Sequence, residues 1–138
     1  MGFVDETIIV AVDVADAYSL WLDYEQYPRF MEGIDEVAVV GYCRLRWSGV
    51  VCGETLVWES DVVDRIQDTR LRWRAVDGRE TGDIDVQKLD HRQTLVHFQL
   101  EYEPSVWGVD PARLEECLRT RVRNALSAFK ELAERVAA

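Results

Sequence analysis

Apolar positions along the chain change their spacing twice, dividing it into three parts. The first part opens with Thr7–Val14 (TIIVAVDV), whose β-branched residues predict a strand with Ile8, Val10 and Val12 on one face. Asp16 then offers a cap for a short helix in which Tyr18, Trp21 and Leu22 recur at spacings of three and four. Pro28 cannot continue that helix, so two short helices are expected with a break near Tyr27.

From Ile34 to Pro104 the period becomes two. Strands are predicted at Glu36–Tyr42, Arg44–Val51, Glu54–Ile66, Arg70–Val76, Gly82–Leu89 and Gln93–Glu103, with turn signals such as Gln67-Asp68, Asp77-Gly78 and Asp90–Arg92 between them. Connections this short imply antiparallel neighbours. The third part is a long helix, with Asp110 as its cap and Pro111 at the favoured first position. Leu114, Leu118, Ala125, Leu126, Phe129, Leu132 and Val136 form an apolar stripe along it. That stripe needs a partner, and the concave face of a seven-stranded antiparallel sheet is the large apolar surface left to supply one. The pattern predicts an α+β protein, residues 1–138 forming one domain, with the helix across the sheet.

Composition changes the picture in a few respects. The net charge of −10, from 26 acidic and 16 basic residues, argues against nucleic acid and anionic membranes, which need clustered Lys and Arg. Neither a signal-like N-terminus nor an apolar run of about 20 residues occurs, so a cytoplasmic protein without stable membrane insertion is expected, a monomer or a homodimer. Cys43, Cys52 and Cys117 make an odd count, and with two histidines they give no metal spacing. An intervening strand would hold Cys43 and Cys52 roughly 30 Å apart, so reduced thiols are expected.

Several words in the chain carry a resemblance. They are VDVADAYSLWLDYEQYPRFMEGIDEV near the start, VWESDVVD in the middle, and LRWRAVDG followed by TGDIDVQKLD. Together they resemble the polyketide cyclase/dehydrase branch of the Bet v 1-like, START-related (SRPBCC) superfamily, over nearly the whole chain. The resemblance implies the helix-grip fold and a mostly apolar cavity between sheet and helix. It implies no cofactor, and as partner a small apolar molecule, polyketide, aromatic or lipid-like, of the kind handled in secondary metabolism. It also implies an inward basic residue a few positions after the middle-strand Trp, where this chain has Val62.

Strand alternation nominates the inward groups. Trp47, Trp58 and Trp73 come from separate strands and could fill the core or form a wall for a flat ligand. Ser60 and Val62 share a face with Trp58, whereas Glu59 and Asp61 point to the convex side. Arg121 falls within the apolar stripe, where a cation must be paired or face a ligand. It could form a salt bridge with a strand carboxylate, or stabilise an enolate or ligand carboxylate. Tyr102 and Ser60 could hydrogen-bond a ligand carbonyl, and Tyr102 could donate a proton. Tyr27 to Met31 is expected to form a lid in which Phe30 and Met31 touch the ligand; Phe98, Leu118 and Ala125 complete the apolar lining. His97 falls on the polar face and His91 in a turn, so neither is placed as a base. Two functions fit: cyclisation or dehydration of a reactive polyketide-type intermediate without a cofactor, or carriage and sequestration of a lipid, quinone or antibiotic.

Overall fold

The computed structural model describes residues 1–137; residue 138, the expected end of the domain, lies outside them. β1 (Gly2–Val10) leads into helix α1 (Val14–Leu22) and a 3-10 helix at Tyr24–Arg29. Six strands follow: β2 (Ile34–Gly41), β3 (Arg44–Val51), β4 (Glu54–Ile66), β5 (Arg70–Ala75), β6 (Glu80–Asp90) and β7 (Gln93–Tyr102). A short helix α2 (Pro104–Trp107) then precedes α3 (Pro111–Ala137). The strands form one antiparallel sheet in the order β1-β7-β6-β5-β4-β3-β2, and α3 packs mainly against β1, with contacts to β7 and α1. This is the helix-across-sheet arrangement that the pattern predicts and the helix-grip fold that the resemblance implies.

Differences lie at element ends, where side-chain capping decides what periodicity cannot. The first helix begins at Val14, capped by the Asp13 carboxylate on the Ala15 N–H, and Asp16 sits in its first turn instead of at the cap. The strand expected at Thr7–Val14 therefore runs from Gly2 to Val10, where β7 supplies a partner for every residue. Asp110 caps α3 as expected, its side chain accepting from the Arg113 N–H. The stripe on α3 is buried from Leu114 to Leu132, but Val136 is exposed. It lies one turn beyond Leu132, near the end of the described helix.

The convex face is a lattice of cross-strand ion pairs. Arg44 binds Glu59 and Asp61, Arg70 binds Asp85 and Arg72 binds Asp83. Such pairs stabilise register only modestly where water reaches them. They satisfy the charged side of strands whose other side is apolar, and they put Glu59 and Asp61 outside, as alternation requires. His97 is on the same side, bonded to Asp5.

The expectation of three reduced thiols is overturned. Cys52, in the β3–β4 turn, is joined to Cys117 on α3, with Cα atoms 5.8 Å apart, and Cys43 alone is free. The sheet curls so that this turn meets the helix 65 residues later, a proximity that strand spacing cannot reveal.

Candidate functional site

The inward faces of β3, β4 and β5 hold the three nominated indoles, with Trp47 in contact with the other two. Trp47 and Trp58 are register partners and stack at 5.6 Å, and Trp73 leans on Trp47 at 5.6 Å. Trp73 can lie flat against β6 because its cross-strand neighbour is Gly82; a Cβ there would come within 2.6 Å of the indole ring. Tyr27, Trp21, Phe30, Phe98 and Phe129 continue the aromatic cluster towards α1 and α3. Tyr27, Phe30 and Met31 are thus core, not a lid over an opening. The Tyr27 hydroxyl donates to the Trp21 carbonyl, and burial pushes its phenol well above the ordinary value.

This aromatic interior has unmet polar demands. Among the described residues the Nε1–H groups of Trp21, Trp47, Trp58 and Trp73 and the Ser60 hydroxyl are buried without hydrogen-bond partners. A buried donor left unpaired costs about 1–3 kcal/mol, so native interiors rarely carry several together. Four of these five groups are on the adjacent strands β3, β4 and β5.

A polar row crosses the sheet beside them. Ser60 pairs with Ala75, and extending the Arg74–Thr81 register by one residue sets Ala75 opposite Glu80, which pairs with Tyr102. Arg121 reaches down to this row from α3. Its Nη1 donates to Glu80 Oε1 at 2.9 Å and its Nη2 to Oε2 at 3.4 Å, in a fork between side chains 8% and 0% exposed. The Arg121 guanidinium also lies 6.0 Å from the Trp58 ring centroid, and Arg79 lies 5.8 Å from the same ring and 4.9 Å from that of Trp107. Burial, with the Glu115 carboxylate nearby, holds the Tyr102 phenol above its ordinary value, so it stays protonated near neutrality.

Of the nominated residues, Arg121 is held at Glu80 beside the Trp58 ring; Ser60 and Tyr102 are on the same inward row but on β4 and β7, on either side of it, and the Tyr102 ring lies over Gly2 of β1. Val62 does not join them: it lies half-buried, with Tyr24 and Leu45, in a separate groove of about 470 Å³ beside the β2–β3 turn. Phe98, Leu118 and Ala125 are buried in the core between sheet and helix. Glu80 and Arg79 were not nominated. Reading β6 from Glu80 instead of Gly82 would have put Glu80 on the inward face with Ile84 and Val86, and a buried Arg121 asks for such a partner. A second groove, of about 460 Å³, opens between the end of β3, the β3–β4 turn and α3; Val51, Cys52, Thr120, Arg121 and Asn124 line it. Arg121 thus touches both the interior row and the outside.

A guanidinium held in a fork can stabilise developing negative charge on an oxygen, and a protonated phenol nearby can donate a proton. Among the described residues no group of three or more His, Cys, Asp or Glu side chains is spaced to hold a metal ion. No described helix is long and apolar enough to cross a membrane.

Known proteins share this architecture. The START superfamily protein from Mycobacterium smegmatis superposes with a TM-score of 0.84 at 16% identity, covering 97% of this chain and 98% of its own. The Zhui aromatase/cyclase from Streptomyces sp. R1128 superposes with a TM-score of 0.80 at 19% identity, covering 99% and 96%. An uncharacterised 17.2 kDa protein of Streptomyces lincolnensis is 29% identical over 106 residues, 75% of this chain and 71% of the relative. At such identities the two structures speak for the fold alone. Residues 10–130 match the profile of the family described as polyketide cyclase/dehydrase and lipid transport, and the chain belongs to that family.

Proposed function

We propose that the protein binds a flat, apolar, oxygen-bearing small molecule, of polyketide or aromatic type, between the sheet and α3, and promotes its cyclisation without a cofactor. The observation that carries this reading is the buried Arg121–Glu80 fork beside the Trp58 ring, on a sheet face where the indole N–H groups of Trp47, Trp58 and Trp73 and the Ser60 hydroxyl have no partner. Ligand oxygens would accept from those donors. Arg121, held by Glu80, would stabilise an enolate oxygen, and Tyr102 would protonate it. Trp47, Trp58, Trp73 and Phe98 would hold the rings, with Phe30, Met31, Leu118 and Ala125 behind them. Val62, in the other groove, would meet only a long ligand.

A specific observation favours a second reading, a carrier or sequestering protein for a lipid, quinone or antibiotic. Arg121 and Glu80 already neutralise one another, so the carboxylate beside Arg121 is not free to act as a base. Native mass spectrometry of the protein purified from its producing strain tests both. A bound ring-containing compound differing from its precursor by a ring closure or loss of water supports the enzyme. The same compound recovered unchanged after incubation with its precursor supports the carrier. Protein that stays empty when offered polyketide, quinone and lipid alike would rule out both.

A further inference from the structure

We infer that the Cys52–Cys117 bridge is a redox-operated clasp over the entrance to this interior site. The inference rests on the ligand-binding reading above and adds its regulation. Packing holds α3 chiefly against β1, β7 and α1, on one side of the sheet. On the other side the contacts are polar and covalent: Arg121 binds Glu80, Asn124 donates to Glu32, and Cys52 in the β3–β4 turn is bonded to Cys117 on the helix. The bridge stands between two grooves and lines both. One, of about 460 Å³, includes Val51, Arg121 and Asn124, and the other, of about 270 Å³, includes Gly53, Val109 and Arg113. Cys117 and Arg121 are four residues apart on α3, so the bridge lies one turn from the guanidinium on the same helical face.

The turn that carries Cys52 suits such a device. Cys52 and Gly53 have φ of 53° and 81°, the left-handed pair of a tight hairpin, so the strand ends are held in register whether or not the bridge is closed. Opening the bond would free the tip of a formed hairpin without unfolding the sheet. Reduction by a low-molecular-weight dithiol breaks the S–S bond; the protein takes up two electrons and two protons as two thiols, and the dithiol leaves as its cyclic disulfide. A low-molecular-weight disulfide reverses the exchange. With the clasp open the two grooves join in front of Arg121, and a ligand passes between turn and helix.

The test uses the intact chain and the fluorescent apolar anion 1-anilinonaphthalene-8-sulfonate, mixed rapidly with oxidised protein, with protein reduced by dithiothreitol, and with Cys52→Ser and Cys117→Ser. Each form is first checked for native near-ultraviolet circular dichroism. Reduced protein and both variants should take up the probe at least about 10-fold faster than oxidised protein, as expected when a gate limits entry, and reductant should no longer affect the variants. Thiol labelling should count one free cysteine, Cys43, in the oxidised form and three after reduction. Equal uptake rates in the two redox forms, with only a lower melting temperature on reduction, would overturn the clasp and leave a brace. Three free thiols after treatment with oxidised dithiothreitol would also overturn it. Absence of uptake in every form, including the chemically reduced wild type, would sink the ligand-binding reading itself. If the serine variants do not fold, the reduced wild type decides alone.

Discussion

Arg121 and Glu80 meet as a two-pronged ion pair between α3 and the start of β6, at a point that water hardly reaches. Two charges withdrawn from water in this way are held by each other, and removing one strands the other. Glu80→Gln and Arg121→Leu are each expected to cost about 3 kcal/mol of stability in urea unfolding, and the double variant Glu80→Leu/Arg121→Leu less than the sum. Additive losses would show that the pair is not coupled. The cycle also determines how Arg121 is tested for catalysis, because lost turnover in the single variant mixes chemistry with damage to the fold.

Ser60 separates stability from function in another way. Its hydroxyl is buried and has no partner among the described residues, so it is a burden on the folded state. Ser60→Ala should leave stability unchanged or raise it by about 1 kcal/mol, while weakening an oxygen-bearing ligand that the hydroxyl would have met. Thermal melts with and without the ligand identified by native mass spectrometry measure both effects. A variant that loses stability and keeps affinity would remove Ser60 from the site.

Reduction of Cys52–Cys117 reopens a loop of 65 residues in the unfolded chain. By the chain-entropy estimate the bridge contributes about 4 kcal/mol, an upper bound when the unfolded state keeps structure. Urea midpoints should fall sharply on reduction, and Cys43→Ser should leave both redox forms unchanged. Equal midpoints for oxidised and reduced protein would contradict the bridge as a stabilising link.

Alkaline stability should depend on Tyr27. Burial raises its phenol well above the ordinary tyrosine value in the folded chain. The unfolded chain therefore releases that proton first, near pH ~10. The contribution is fully present below that pH and is lost as pH rises towards the folded value. Tyr27→Phe should be less stable than wild type at pH 8 by about 1 kcal/mol, through the hydrogen bond to the Trp21 carbonyl. The gap should narrow at pH 11, as urea unfolding at the two pH values would show; a gap that widens with pH would mean that Tyr27 ionises more easily when folded.

The alternation of Trp58, Ser60 and Val62 against Glu59 and Asp61 was enough to assign both faces of β4, because a two-residue period depends on nothing beyond the strand. The spacing of Leu114, Leu118, Ala125 and Phe129 likewise oriented α3, and it flagged Arg121 as an anomaly in an apolar stripe. Those local periods, with the family words, determined the fold and nominated Arg121 for the candidate site. They could not name Glu80, whose strand begins two residues before its period is readable, nor show that its register with Tyr102 and Ala75 puts it under Arg121. Nor could they join Cys52 to Cys117, since sheet curvature brings those residues together and no spacing along the chain encodes it. The three tryptophans were ambiguous for the same reason. Only tertiary packing decided that Trp47 stacks on Trp58 and leans on Trp73 with all three N–H groups unpaired, because a ring's neighbours are set by how β3, β4, β5 and α3 close on each other.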